Sequence, residues 1–298
     1  MTRLPVPSAS APTAAVPGPW TVLDVIRWTA ARFSERGLAA PRLDAELLVA
    51  HVLVLPRVQL YVQFDRPLTP PELADLRALI KRRQAGESVA YLIGKKEFWG
   101  LEFAVDARVL VPRPDTETLI EEARARLDGA QAPRIADVGT GSGALAVTLA
   151  RLRPDATVFA SDVSAAALDV ARGNAERLGV TVTFVEGDLA LPLRPHAPLS
   201  LIVANLPYVA SAELAALPPE VRAEPMLALD GGADGLRLLS RLVEDAPGLL
   251  APGGALALEI GAGQAEATAA LLAGAGFVEV STRLDLSGIA RVVSGRKP

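Results

Sequence analysis

Asn205-Leu206-Pro207-Tyr208 joins a side-chain amide, a proline-restricted backbone and an aromatic ring, and the combination suits one chemical problem. An amide or aromatic amino nitrogen is a poor nucleophile because its lone pair is delocalised. The Asn205 side-chain carbonyl can accept one N–H of such an NH2 group, and the Leu206 main-chain carbonyl can accept the other. Pro207 confines Leu206 to extended conformations, which sets the second acceptor in advance. Tyr208 can stack on a flat amide or base. Holding both hydrogens aims the nitrogen at an electrophilic carbon. No general base is required, because the substituted nitrogen becomes acidic and loses its proton to water. Catalysis is then positioning plus electrostatics. An ordinary Asn-x-Pro-Tyr turn is the plainer alternative.

A second chemical feature lies upstream. Ile135-Ala136-Asp137-Val138-Gly139-Thr140-Gly141-Ser142-Gly143 runs from a strand into a helix. Alternating glycines let the backbone turn sharply and lie against a ligand, with the next helix N-terminus pointing at it. Gly141-Ser142-Gly143-Ala144-Leu145-Ala146 also fits the dinucleotide pattern with alanine last, so the loop alone serves NAD or S-adenosylmethionine. Asp162, about 20 residues beyond the last glycine, can accept the hydroxyls of an adenosine ribose of either cofactor. Asp137 tilts the choice, since a carboxylate there suits a methionine ammonium and repels a pyrophosphate. Asp188-Leu189 can hold an adenine by a polar contact and an apolar wall, or form a solvated turn.

Other chemistries fail on spacing or composition. Thr140 stands where a nucleophile elbow around Ser142 needs glycine, and no Gly-Lys-Ser/Thr follows the loop. The 298 residues contain no cysteine, which removes disulfides, thiolate nucleophiles and Cys-ligated zinc. The two histidines, His51 and His196, have no partner at metal or triad spacing, so no metal is expected. Net charge is −4, with sequence pI about 5.4, too acidic for a broad phosphate-binding surface. Apolar runs are too short to span a membrane and residues 1–19 lack a secretory core, so a cytoplasmic location is expected.

The elements that must position these residues follow from periodicity. Residues 1–19 read as a flexible tail, and 20–88 as a helical domain. Its helices are signalled by Thr21 with Asp24, by Pro41, and by Thr69-Pro70-Pro71-Glu72, and Lys81-Arg82-Arg83 suits a helix C-terminus. Residues 89–114 alternate apolar and polar around Trp99-Gly100, which predicts a β-hairpin linker. Residues 115–298 open with a helix over Asp115–Leu127. Strands are then predicted at Arg134–Val138, Thr157–Ser161, Thr181–Val185, Leu199–Ala204 and Ala255–Ile260, with helices between most of them. The class is α/β: a mostly parallel sheet with helices on both faces, closed by an antiparallel pair at Phe277–Arg283 and Ala290–Ser294.

The glycine loop together with Asn205-Leu206-Pro207-Tyr208 resembles the amino-methyltransferases of the seven-stranded, Rossmann-like class I S-adenosylmethionine fold. Further landmarks resemble the bacterial release-factor glutamine methyltransferases: Tyr91-Leu92-Ile93-Gly94, Glu97-Phe98-Trp99-Gly100, Val111-Pro112-Arg113-Pro114-Asp115-Thr116-Glu117, Glu224-Pro225 with Leu229, and Asp285-Leu286-Ser287-Gly288 with Arg291. The likeness covers roughly residues 20–296. It implies a helical N-terminal domain that engages the substrate protein and a hairpin joining it to the catalytic domain. The implied reaction converts the glutamine of a Gly-Gly-Gln motif in peptide chain release factors to N5-methylglutamine, using S-adenosylmethionine. It further implies that Phe98, Arg113 and Glu117 line or brace the pocket near the methyl donor. The expected partner is the release factor, acting on a monomer without direct nucleic-acid contact. Leu206 departs from the family's commonest proline but keeps the main-chain carbonyl. Asn-Leu-Pro-Tyr also occurs in adenine-N6 methyltransferases, so methylation of RNA or DNA adenine is the alternative.

Overall fold

The structure is a computed structural model that describes residues 19–298. The tail predicted for 1–19 therefore lies, except for its last residue, outside the described residues. The chain divides into two compact units between Ala85 and Gly86.

Among the described residues of the first unit four helices run α1 (Val22–Glu35), α2 (Pro41–Leu53), α3 (Gln59–Val62) and α4 (Pro70–Gln84). The sequence starts two of them with capping boxes. Thr21 Oγ1 accepts from Asp24 N at 3.3 Å, and Glu72 Oε2 accepts from Thr69 N at 2.7 Å. Val22, Phe33, Leu48 and Leu76 are buried at their centre. Arg83, read from sequence as complementing a helix dipole, is instead buried and paired with Asp44 of α2 at 2.8 Å. Its long stem makes that inward reach possible.

The second unit begins with α5 (Val89–Ile93), where the sequence suggested strand. Ser88 caps its start by accepting from Tyr91 N at 3.2 Å, and Gly94 ends it in the left-handed region. The hairpin is confined to β1 (Lys95–Phe98) and β2 (Leu101–Ala104), and it belongs to this unit. Its two turn residues, Trp99 and Gly100, both have positive φ, 53° and 70°. A two-residue hairpin turn demands this, and it is unfavourable for tryptophan. Glu117 Oε1 accepts the Trp99 N–H at 2.8 Å and holds the turn.

The remaining elements are α6 (Glu117–Arg126), β3 (Arg134–Val138), α7 (Ala144–Leu152), β4 (Thr157–Asp162), α8 (Ala165–Arg177), β5 (Thr183–Glu186), β6 (Leu199–Ala204), α9 (Pro219–Arg222), α10 (Arg237–Asp245), β7 (Leu250–Glu259), α11 (Ala265–Gly274), β8 (Val278–Leu284) and β9 (Ala290–Arg296). A short 3-10 turn over Pro114–Thr116 precedes α6. Seven strands form one sheet in the order β5-β4-β3-β6-β7-β9-β8. The first five are parallel, and β9 runs antiparallel to both β7 and β8. Alternate residues of the central strands feed opposite faces. Ala136, Ile202 and Leu256 pack with α10 and α11, while Ile135, Leu201 and Ala255 pack with α6 and α7. The chain leaves β3 toward β4 and β5 and returns to β6 on the other side. The switch between β3 and β6 opens a crevice at their carboxyl ends.

Candidate active site

The glycine loop and Asn205 flank that crevice. They line a cavity of about 550 Å3, within the range of small-molecule sites. Its floor comes from the ends of β3, β4 and β6. One wall is the segment from Arg108 to Arg113, and the other runs through Pro225–Ala228 to Asp230, Arg237 and Leu238.

The loop is fixed from several sides. Gly139 N and Thr140 N both donate to Ser161 O at 2.8 and 3.0 Å. Asn174 is fully buried, and its Nδ2 donates to Ser142 O at 2.9 Å and Ala104 O at 3.0 Å, while Oδ1 accepts from Ala104 N at 2.8 Å. One amide thus ties α8, the hairpin and the glycine loop together. Gly141, at φ 54°, has nothing within 4 Å of where a side chain would begin, so its backbone faces the open cavity.

Asp162 closes the loop from β4. Its Oδ2 accepts from Gly141 N and its Oδ1 from Ser164 N, both at 2.9 Å. A carboxylate offers about four acceptor directions, so two remain for a pair of hydroxyls in the cavity. Asp188 lines the cavity and is ion-paired with Arg241. Leu189 lies beside it, buried and held at φ 48°, a conformation that its environment must enforce.

Several predicted site residues are placed otherwise. Asp137 is fully buried beneath the loop and does not line the cavity; its Oδ2 accepts from Thr140 Oγ1 at 2.6 Å and Ala146 N at 3.1 Å. Burial, with Asp162 as a nearby like charge, pushes its carboxyl up to about 7. Its Oδ1 is buried without a partner. Phe98 is not brought to the cavity either. It is buried in the hairpin core, edge-on to Phe103 at 6.2 Å and grouped with Leu119 and Ile120. The reason is local, since the pleat that exposes Glu97 turns Phe98 onto α6. Glu117 braces the Trp99 turn rather than the cavity.

Arg113 does line the cavity, and Nη2 donates to Glu224 Oε1 at 2.6 Å, joining its two walls. Burial pushes the Glu224 carboxyl up to about 7 against the opposing Arg113 charge.

Within Asn205-Leu206-Pro207-Tyr208 the first three residues line the cavity. Tyr208 does not; burial, with Glu259 beside it, pushes its phenol up to about 12. Asn205 Nδ2 donates to Thr116 Oγ1 at 3.2 Å, while Oδ1 makes no hydrogen bond within the described residues. Thr116 is buried and was not singled out from sequence, although it sits in the Pro-Arg-Pro-Asp-Thr-Glu run. Among the described residues no cluster of His, Cys, Asp and Glu is arranged to hold a metal, and no helix is long and apolar enough to cross a membrane.

Sheet order, glycine loop and crevice together define a class I methyltransferase fold. Comparisons with known proteins agree. A model described as the PrmC N-terminal domain matches residues 24–94, and one described as the methyltransferase small domain matches residues 114–217. The release factor glutamine methyltransferase of Geobacter sulfurreducens is 46% identical over 278 residues, covering 93% of this chain and 97% of the relative. That of Bordetella pertussis is 48% identical over 255 residues, covering 86% and 94%. Among solved structures, the hMettl16 catalytic domain in complex with a MAT2A 3'UTR hairpin shares the fold with TM-score 0.56 at 15% identity, covering 76% of this chain and 80% of that one. This chain belongs to the release factor glutamine methyltransferase family.

Proposed function

We propose that the enzyme binds S-adenosylmethionine in the crevice between β3 and β6 and methylates the side-chain amide of the glutamine in the Gly-Gly-Gln motif of peptide chain release factors. The observation that carries the reading is the Asn205 amide. Its NH2 end is occupied by Thr116, which leaves Oδ1 as an acceptor at the cavity.

The residues present fit the cofactor. Gly141 leaves backbone space, Asp162 retains acceptor capacity for two ribose hydroxyls, and Asp137 keeps one unpaired buried oxygen beneath the loop. Asp162, the acidic residue that lines the cavity beside the loop, suits a cationic ligand and opposes a pyrophosphate. Asp188 and Leu189 would border the adenine, and Gly139, Thr140 and Ser142 would shape the cradle, whereas Gly143, also expected from sequence to touch the cofactor, does not line the cavity and packs against Ala171 and Val147.

S-adenosylmethionine supplies a methyl carbon made electrophilic by its sulfonium. Asn205 Oδ1 and the Leu206 carbonyl each accept one N–H of the glutamine amide, and Pro207 keeps the Leu206 carbonyl in place. Held by these two acceptors, the glutamine nitrogen would be aimed at the methyl group that S-adenosylmethionine would supply when bound beside the glycine loop and Asp162. The methylated nitrogen then releases a proton to water. Positioning supplies most of the rate enhancement. Tyr208 stays protonated near neutrality, so it serves by shape rather than as a base.

The same reading makes the helical first unit the element that engages the release factor, and the enzyme a cytoplasmic monomer without direct nucleic-acid contacts. The test is mass spectrometry of an unmethylated release factor after incubation with S-adenosylmethionine. A gain of one CH2 on the Gly-Gly-Gln peptide is expected. An unchanged peptide alongside methylated RNA adenine would overturn the assignment.

A further inference from the structure

The second half of the glycine loop hangs on one buried amide. Ser142 O accepts from Asn174 Nδ2 at 2.9 Å, and the N–H of the same peptide unit, on Gly143, donates to Thr140 O at 2.8 Å. One peptide plane is thus held at both ends. The hold matters because Gly143, at φ 82°, has no side chain to resist rotation of that plane. A larger residue does not fit there, since its Cβ would stand 3.1 Å from Ala171 Cβ on α8. The loop needs glycine at this point, so its stiffness has to come from a neighbour.

Asn174 supplies it. The residue is fully buried near the end of α8, and every hydrogen-bonding position of its amide is filled. Nδ2 donates to Ser142 O and, at 3.0 Å, to Ala104 O; Oδ1 accepts from Ala104 N at 2.8 Å and from Arg177 Nη2 at 3.0 Å. Arg177 Nη2 also donates to Glu102 O of β2. The paired bonds with Ala104 and the Arg177 guanidinium fix which end of the amide faces the loop. Asparagine is a weak helix former, and a buried amide is costly unless fully paired. Holding α8 to the hairpin takes only the bonds to Ala104. The bond to Ser142 O goes further, to the stretch Thr140–Ser142 that lines the cavity.

We propose that Asn174 is a positioning residue for the cofactor: by holding the Ser142 carbonyl against α8, it keeps the glycine loop in the shape that accepts S-adenosylmethionine. The inference rests on the reading of the cavity as the cofactor site. Without Asn174 the Ser142–Gly143 peptide rotates, the turn between Thr140 and Gly143 opens, and only a fraction of molecules presents the competent loop. Affinity for the cofactor then falls in proportion to that fraction, whereas the complex formed at saturation is the wild-type one.

The test compares Asn174→Leu and Arg177→Met with the wild type. Leucine has nearly the shape of asparagine and none of its hydrogen bonds. Arg177→Met removes only the exposed guanidinium that braces Oδ1, and it carries the test if Asn174→Leu fails to fold. S-adenosylmethionine affinity is measured by calorimetry well below the Tm of each variant. Asn174→Leu is expected to raise Kd by about tenfold or more, with kcat on a Gly-Gly-Gln peptide at saturating cofactor within about threefold of wild type. Arg177→Met should raise Kd by about threefold, with kcat kept. A purely structural anchor would lower Tm and leave the affinity of the folded protein alone. A Kd of Asn174→Leu within about twofold of wild type, or a loss confined to kcat, would therefore overturn the proposal. An unchanged Kd in Arg177→Met would do so where Asn174→Leu does not fold.

A second readout needs neither cofactor nor methyl acceptor. The Gly143 N–H, which donates to Thr140 O, should exchange slowly with solvent in the cofactor-free wild type. In Asn174→Leu that protection should be largely lost, because a tenfold weaker affinity means a loop that is open most of the time. Protection kept in Asn174→Leu would also overturn the proposal. A wild-type protein that takes up no S-adenosylmethionine would count against the reading of the cavity instead, and the exchange of Gly143 would still decide whether Asn174 holds the loop.

Discussion

Asn205 and Thr116, 89 residues apart in sequence, meet through Nδ2 and Oγ1 at 3.2 Å. The contact gives the Asn205 amide a defined sense. Replacing Asn205 by alanine removes an acceptor that matters most when the reacting nitrogen must be aligned. Turnover should fall by about 100-fold or more, with S-adenosylmethionine affinity largely kept. Single-turnover kinetics beside calorimetry would check this, and near-normal turnover would remove Asn205 from its role.

Asp162 is expected to act on the cofactor rather than on the chemistry. Its two oxygens hold Gly141 N and Ser164 N at 2.9 Å each. Asp162→Ala should therefore both loosen the loop and remove the acceptors proposed for the ribose. A loss of about 1–3 kcal/mol in stability is expected from the two unpaired N–H groups. The cofactor Kd should rise by about tenfold to 100-fold, and saturating cofactor should restore much of kcat. Unchanged cofactor affinity would exclude Asp162 from the binding site.

The parallel sheet was legible because β3, β4 and β6 are buried on both faces and so read as continuous apolar runs, punctuated by the glycine loop. The hairpin was read too long. Its apolar alternation masked the helix start at Ser88 and the stop at Gly94. Thr116 and Asn205 were not legible as a contact, nor was Glu259 legible as a buried residue. The first two are far apart in sequence, and a single acid closing an apolar strand looks like a residue meeting solvent, whereas Glu259 is fully buried. Asp137 shows the complementary difficulty. Its place beside the loop could be read, but not that its carboxyl would point under the loop to Thr140 and Ala146. Side-chain direction at a sharp turn depends on packing from β4 and α7 that no local pattern records.

Arg113 and Glu224 join the two cavity walls, and Glu224 is nearly inaccessible. Arg113→Ala would strand that carboxyl, whose Oε2 already lacks a partner. Stability should drop by about 1–3 kcal/mol. The freed wall at Pro225–Ala228 should raise KM for the protein substrate by about tenfold, with a smaller effect on kcat. Arg113→Lys should rescue poorly, because an ammonium cannot reproduce the planar fork of a guanidinium. Thermal unfolding with steady-state kinetics would check both, and a variant with normal KM and stability would contradict the bracing role.

Asp137, Glu224 and Glu259 all have carboxyls pushed up to about 7 by burial. In the unfolded chain such groups titrate near 3.9 for Asp and 4.3 for Glu. Between those values and about 7 the folded state holds more protons than the unfolded state, so stability must fall as pH rises through that window. The stabilising contribution is fully present below the unfolded pKa and is lost on passing the folded one. Carboxylates held low by hydrogen bonds, including Asp24, Glu72, Asp106 and Asp285, work in the opposite sense, but only below their ordinary range. The cofactor-free enzyme should therefore melt at progressively lower temperature from about pH 5 to about pH 7.5 and level off above about pH 8. Asp137→Asn, which cannot ionise, should flatten part of that slope. Melting curves at constant ionic strength would decide it: a Tm that rises across the window, or a slope untouched by Asp137→Asn, would show that the Asp137 carboxyl beneath the glycine loop is not held protonated by its burial.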